Sequence, residues 1–262
     1  MPERKKNNNS KWIASLFLTL GGLSLLYSVI FTSQITAFIG LGLTFWGALF
    51  TLARSGKYVE SSLLDGTAKS SYSTIERIVK DLKLTGKGYY IPAYPEDSYL
   101  PQYLGKLKDP VVFISEDFDG KPPVDELAAG KFLSEKTHGV FLTAPGAGLM
   151  DQMEKQLKLD FSKIGLQELP ELLPRCLTEQ FNLAKSVNLN FFENGANFEA
   201  TGILYESLLR TPAPLQSVTM LGCPVVSAVA SACAKSSGKI VIIKEIVLSS
   251  NNCGVHAVFN FI

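Results

Sequence analysis

The chain has 262 residues, with 25 Lys+Arg against 24 Asp+Glu and 46% hydrophobic residues. A formal net charge of +1 excludes a strongly basic nucleic-acid binder and a strongly acidic solvating chain, and the apolar fraction calls for a packed core in one large or two small domains. The charge is unevenly spread: between Trp12 and Ala53 there is no Asp, Glu, Lys, Arg or His, so the rest of the chain reads as an ordinary, mildly acidic soluble domain.

Trp12 to Phe31 is an uncharged run of 20 residues, which as a helix reaches about 30 Å, the hydrocarbon thickness of a bilayer. Thr32, Ser33 and Gln34 interrupt it, and Ile35 to Ala53 supplies a second run. Lipid leaves backbone groups no water to bond, so two such runs predict a helical transmembrane hairpin over residues 12–54. A cleaved signal peptide is the rival, but the first run is longer than an h-region and a second follows at once. Arg4, Lys5, Lys6 and Lys11 form a basic N-terminus, residues 1–11, and Arg54 and Lys57 follow the second run; the turn carries no charge. The positive-inside rule then places both termini in the cytoplasm of an integral membrane protein with two spans. Gly40, Thr44 and Ala48 recur every four residues, a small-residue face for packing within the hairpin or for a homo-oligomer.

Residues 55–71 are small and polar and read as a juxtamembrane linker, after which residues 72–262 form a cytoplasmic domain. Ile75, Ile78, Val79 and Leu82 predict a helix over Tyr72 to Leu84, ended by Gly86 and Gly88. The following segment is rich in tyrosine and proline, which excludes a regular helix or a central strand there. Its Tyr89, Tyr90 and Tyr94 either cover the sheet or face a ligand or partner; Glu96 and Asp97 argue against nucleic acid.

Val111 to Ser115 and Gly139 to Thr143 are short buried-strand patterns. Between the second of these and a helix lies Ala144-Pro-Gly-Ala-Gly-Leu149, where Gly146 and Gly148 could bring backbone N–H groups to a phosphate. It lacks the third glycine of a dinucleotide fingerprint and the lysine of a P-loop, and Asp151 and Glu154 repel an anion, so a structural turn is the stronger reading. Leu166 to Lys185 is helical in pattern but broken by Pro170 and Pro174. Asn188 to Phe192 and Phe198 to Tyr205 flank Glu193-Asn194-Gly195, a hairpin signal. A small-residue helix over Val225 to Ser236 stops at Gly238, and strands over Lys239 to Leu248 and Val255 to Ile262 close the chain. Helices between antiparallel strand pairs predict an α+β fold, a mainly antiparallel sheet covered by helices, with no internal repeat.

Cys176, Cys223, Cys233 and Cys253 should be reduced in a cytoplasmic domain. Cys253-Gly-Val-His256 invites zinc with Cys223 and Cys233, but ten residues of one helix hold those two about 15 Å apart, so buried inert thiols and no metal are expected. As a catalytic dyad, Cys253 and His256 could meet only in a turn. Glu116, Asp117 and Asp119 read as a solvated loop.

Val187 to Phe192, Phe198 to Tyr205, the helix from Gly222 to Lys235, Gly238 to Glu245 and the closing Val258-Phe-Asn-Phe-Ile262 run strand, strand, helix, strand, strand. This order resembles the 4-vinyl-reductase and transport-particle Bet3-like superfamily, which implies a fold that binds small apolar ligands or acts as a scaffold; whether a closed apolar pocket lies between the sheet and the helix at 225–236 is the question it puts to the structure. The family's thiol site is missing, because Glu245 is followed by Leu248 rather than Cys and Ala257 precedes Val258-Phe259. The combination with an apolar hairpin is also similar to prokaryotic membrane proteins, archaeal ones among them. The sequence therefore favours a membrane-anchored binding or scaffold domain without cofactor, with the bilayer, a protein partner or second copy, or a small apolar ligand as its company. Gly146, Gly148, Tyr89, Tyr90, Tyr94 and Cys223 are the expected ligand-site residues, and a membrane-tethered enzyme using Cys253 and His256 or the loop at 145–149 is the alternative.

Overall fold

The computed structural model describes residues 9–52, 60–94, 108–116, 120–210, 213–249 and 253–262, and the chain divides into two compact units, Met1–Val59 and Glu60–Ile262. Arg4, Lys5, Lys6, Arg54 and Lys57, whose charges set the expected orientation, lie outside the described residues, as do Glu96, Asp97, Asp117 and Asp119.

The first unit is a helical hairpin, α1 (Asn9–Phe31) and α2 (Gln34–Leu52). Thr32, at φ +46°, makes the tight turn. Serines satisfy the polar groups near it: Ser28 Oγ donates to Ser33 O at 2.8 Å and Ser24 Oγ to Thr36 O at 2.9 Å. The helices meet on glycine. A Cβ on Gly21 would lie 2.7 Å from Thr44 N, one on Gly40 2.9 Å from Leu25 N, and one on Gly47 2.9 Å from Leu18 N. Gly40 and Thr44 thus pack within the hairpin as one of the two expected readings had it, but Ala48 is exposed and Gly47 takes its place. A seam between two helices drifts by three and four residues in alternation, so a strict four-residue spacing leaves it after one turn.

The second unit is α+β. Its helix α3 (Ser61–Asp81) starts within the stretch expected to be a linker. The six Ser/Thr of residues 55–71 hid the helix, yet hydroxyls within it fold back onto the preceding turn, as from Thr67 to Leu63 O and Ser71 to Thr67 O. Leu64, Ala68, Tyr72, Ile75 and Val79 form the buried stripe.

Eight antiparallel strands form one sheet: β1 (Gly88–Ile91), β2 (Val111–Ser115), β3 (Leu133–Ser134), β4 (Gly139–Thr143), β5 (Ser186–Phe192), β6 (Gly195–Thr201), β7 (Val241–Ser249) and β8 (Gly254–Phe261), in the order β3-β4-β2-β1-β7-β8-β6-β5. Each half follows one plan. In β1-β2-β4-β3 and again in β5-β6-β8-β7, the first strand pairs the second, the second pairs the fourth, and the fourth pairs the third. The molecule therefore carries a topological repeat although the sequence carries none. The halves join where β1 meets β7 through Tyr89↔Ile242 and Tyr90↔Val241. So β1 is a central strand, against the expectation that the prolines excluded one: Pro92 falls just past its end, where no ladder hydrogen bond is required.

The two halves are buried differently. Tyr89, Ile91, Val111, Phe113 and Phe141 form a second core with Leu127 of α4 (Val124–Ala128) on the back of the first half, which explains its unbroken apolar strands. Among the described residues the second half is covered on one face only, and Asn188, Asn190, Asn197 and Glu199 are exposed on the other. The β5–β6 hairpin forms as expected, but its two-residue loop is Glu193-Asn194, with neither residue at positive φ, and β6 ends at Thr201 rather than Tyr205.

On the main face lie α5 (Ala147–Leu157), α6 (Leu169–Arg175), α7 (Glu206–Leu209), α8 (Gln216–Leu221) and α9 (Pro224–Ser237). Pro174 lies inside α6, and a π turn, Cys176–Gln180, follows directly. Gly238, at φ +65°, ends α9. Every residue from Pro224 to Lys235 is buried.

Candidate functional site

Tyr90 and Cys223, two of the expected site residues, meet in the core where α8 breaks from α9. Gly222, at φ +71°, turns the chain and leaves carbonyls without helical partners. Tyr72 of α3 donates its hydroxyl to Gly222 O at 2.5 Å, and Tyr90 of β1 donates to Leu221 O at 2.7 Å. Burial pushes both phenols above their ordinary range and raises the Cys223 thiol to about 11, despite partial offset by the Val225 and Val226 N–H groups. The cluster is a satisfied polar knot of neutral groups. Its chemistry is the closing of a helix break.

The loop at 145–149 is committed to packing. Gly146 N donates to Ser227 Oγ of α9 at 2.9 Å, and a Cβ on Gly146 would sit 2.1 Å from Ala228 N. Only glycine lets the β4–α5 turn approach α9 so closely. Gly148 meets nothing within 4 Å and lies in the first turn of α5. One of the two N–H groups expected for a phosphate is thus bonded inside the protein.

The tyrosines do not form one surface. Tyr89 and Tyr90 are neighbours on a strand, so they enter opposite cores, 4% and 0% exposed. Tyr94 is exposed. It lines a groove of about 410 Å³ with Pro92, Ser162, Ser236 and Ser237 at the C-terminal end of α9. Beneath it Lys235 is bound to Glu154 at 2.8 Å and Asp160 at 3.0 Å. Burial alone would lower the Lys235 pKa; the hydrogen bonds to both carboxylates outweigh it and hold the group above its ordinary value. The sequence signal for this ion cluster was a lone lysine at the end of an otherwise uncharged small-residue helix.

Cys253 and His256 do not come together. Cys253 is buried in the main core, while His256 is half-buried on the other face beside Glu199, 3.7 Å away across the β6–β8 pair. Cys176 and Cys233 are buried too, which raises their thiols to about 11 and 12. No group of three metal-donor side chains occurs among the described residues. Val225, Val226, Ala228, Val229, Ala230, Ala232 and Cys233 are all 0% exposed, so no water-sized space touches these seven side chains, on the helix where an apolar pocket was to be looked for.

Sequence reasoning also missed two carboxylate caps, one buried and one half-buried. Glu76 of α3 accepts from Ser217 N at the start of α8 at 2.8 Å and pairs with Lys80 at 3.2 Å. Desolvation opposes its ionisation, but the Ser217 hydrogen bonds and Lys80 hold its pKa below the ordinary value. Asp65 accepts from Ser207 N and Oγ beside α7. Carboxylates on a helix carry no mark of a partner some 140 residues away.

Residues 2–244 match the family of a domain of unknown function, DUF7982, a match that runs through both compact units. No curated protein and no solved structure matches the chain.

Proposed function

The chain belongs to the DUF7982 family, and we propose that it is an integral membrane protein in which α1 and α2 are a two-span anchor, both termini are cytoplasmic, and the α+β unit is a scaffold that binds a protein partner. The observation that carries this reading is the outward face of the hairpin. Leu23, Leu26, Val29, Phe38 and Phe45 are 60–80% exposed, on helices that bury only a seam of small residues, Ala14, Gly21, Ser28, Gly40 and Gly47. In water such a surface is far larger than the patches soluble proteins leave open; in hydrocarbon it is at no cost. The basic residues on both flanks, Arg4, Lys5, Lys6, Arg54 and Lys57, support the orientation.

A protein partner is favoured over a small apolar ligand because the flanks of α9 are solidly packed, whereas the polar face of β5, β6 and β8 is open. The separation of Cys253 from His256 favours binding over thiol catalysis. The order β5, β6, α9, β7, β8 is also the one that a 4-vinyl-reductase or Bet3-like scaffold calls for.

In sealed membrane vesicles the protein should resist alkaline carbonate, and a membrane-impermeant amine-reactive label should reach the lysines of residues 60–262 only when the cytoplasmic side faces out. Release by carbonate, or labelling from the opposite side, overturns the topology. A photocrosslinker at Asn190 or Glu199 should capture a specific protein in cells; capture equal to that at exposed Glu135 overturns the scaffold reading.

A further inference from the structure

We draw no further inference here: the strongest candidate, the groove at the C-terminal end of α9 between Tyr94 and Lys235, has its lysine and its three serine hydroxyls already bonded within the protein, and nothing in the structure shows what covers it.

Discussion

Among the described residues, three stretches are long and apolar enough to cross a membrane, and they are used in opposite ways. Trp12–Phe31 and Gln34–Thr51 are each 11% buried, whereas Gln216–Ser237 is 94% buried inside the α+β unit. The difference lies in the backbone as much as in burial. The hairpin helices run unbroken and satisfy their own hydrogen bonds, as lipid requires. Gln216–Ser237 breaks at Gly222, and its freed carbonyls accept from Tyr72 and Tyr90, partners that α3 and β1 supply. Apolar composition sets a demand to leave water; what replaces the water depends on the rest of the fold.

The sharpest way to break this contrast is to place one carboxylate in each region of the full-length protein. Val229→Asp puts an unpaired charge at a 0% exposed position of α9 and should cost about 5 kcal/mol or more, enough to abolish the protease resistance of residues 60–262. Leu23→Asp, on the outward face of α1, should cost about 3 kcal/mol of membrane insertion and leave that resistance intact. Identical proteolysis of the two variants would erase the distinction.

Next in size is the approach of the 145–149 loop to α9. Gly146→Ala drives a methyl into Ala228 N and Pro224 O, backbone that cannot move aside, and should lower Tm by the equivalent of about 3 kcal/mol. Gly148→Ala should be neutral or stabilise α5 by about 0.5–1 kcal/mol. Equal destabilisation by both would show that the loop has a role other than close packing.

Removing one hydroxyl at the break tests the carbonyl caps themselves. Tyr90→Phe leaves Leu221 O buried and unbonded and should cost about 1–3 kcal/mol in chemical denaturation. A variant as stable as the parent would mean that the break needs no cap and that the segment is closer to a membrane helix than it looks.

The smallest effect concerns Glu76, which caps α8 at the start of the same segment. Its folded-state pKa lies below the unfolded one, so its contribution is present above the unfolded value and fades as pH falls through the folded value. Glu76→Gln should lower stability by about 1 kcal/mol at neutral pH, and the two unfolding curves should converge in acid. A difference that persists undiminished in acid would assign the loss to packing.

Much of the fold was legible because local pattern reports directly on local need. Val111–Ser115 and Gly139–Thr143 read as buried strands since both faces of that half-sheet are covered, and Gly238 stops α9 because an αL residue favours glycine. The helix over Ser61–Ser71 was not legible: its hydroxyls look like a linker until Leu64 and Ala68 find the core. The central place of β1 was hidden in the same way, since nothing in Gly88–Ile91 announces Val112 on one side and Val241 on the other. Among the expected site residues, the tight turn at Gly146 could be read from its local glycines, whereas the roles of Tyr90 and Cys223 depend on a helix break more than 130 residues from Tyr90.

The sequence by itself determined the two apolar helices and their turn, the strands β2 and β4 of the first half-sheet and the four strands of the second, the β5–β6 hairpin and the small-residue helix α9, because these follow from side-chain period and from residues that fix φ. The tertiary structure alone decided that one of three apolar stretches is core, that the sheet repeats one strand order, and that Gly146, Tyr72, Tyr90 and Glu76 serve α8 and α9. Periodicity states which groups must leave water or find a hydrogen bond; only the folded chain says which distant group meets them.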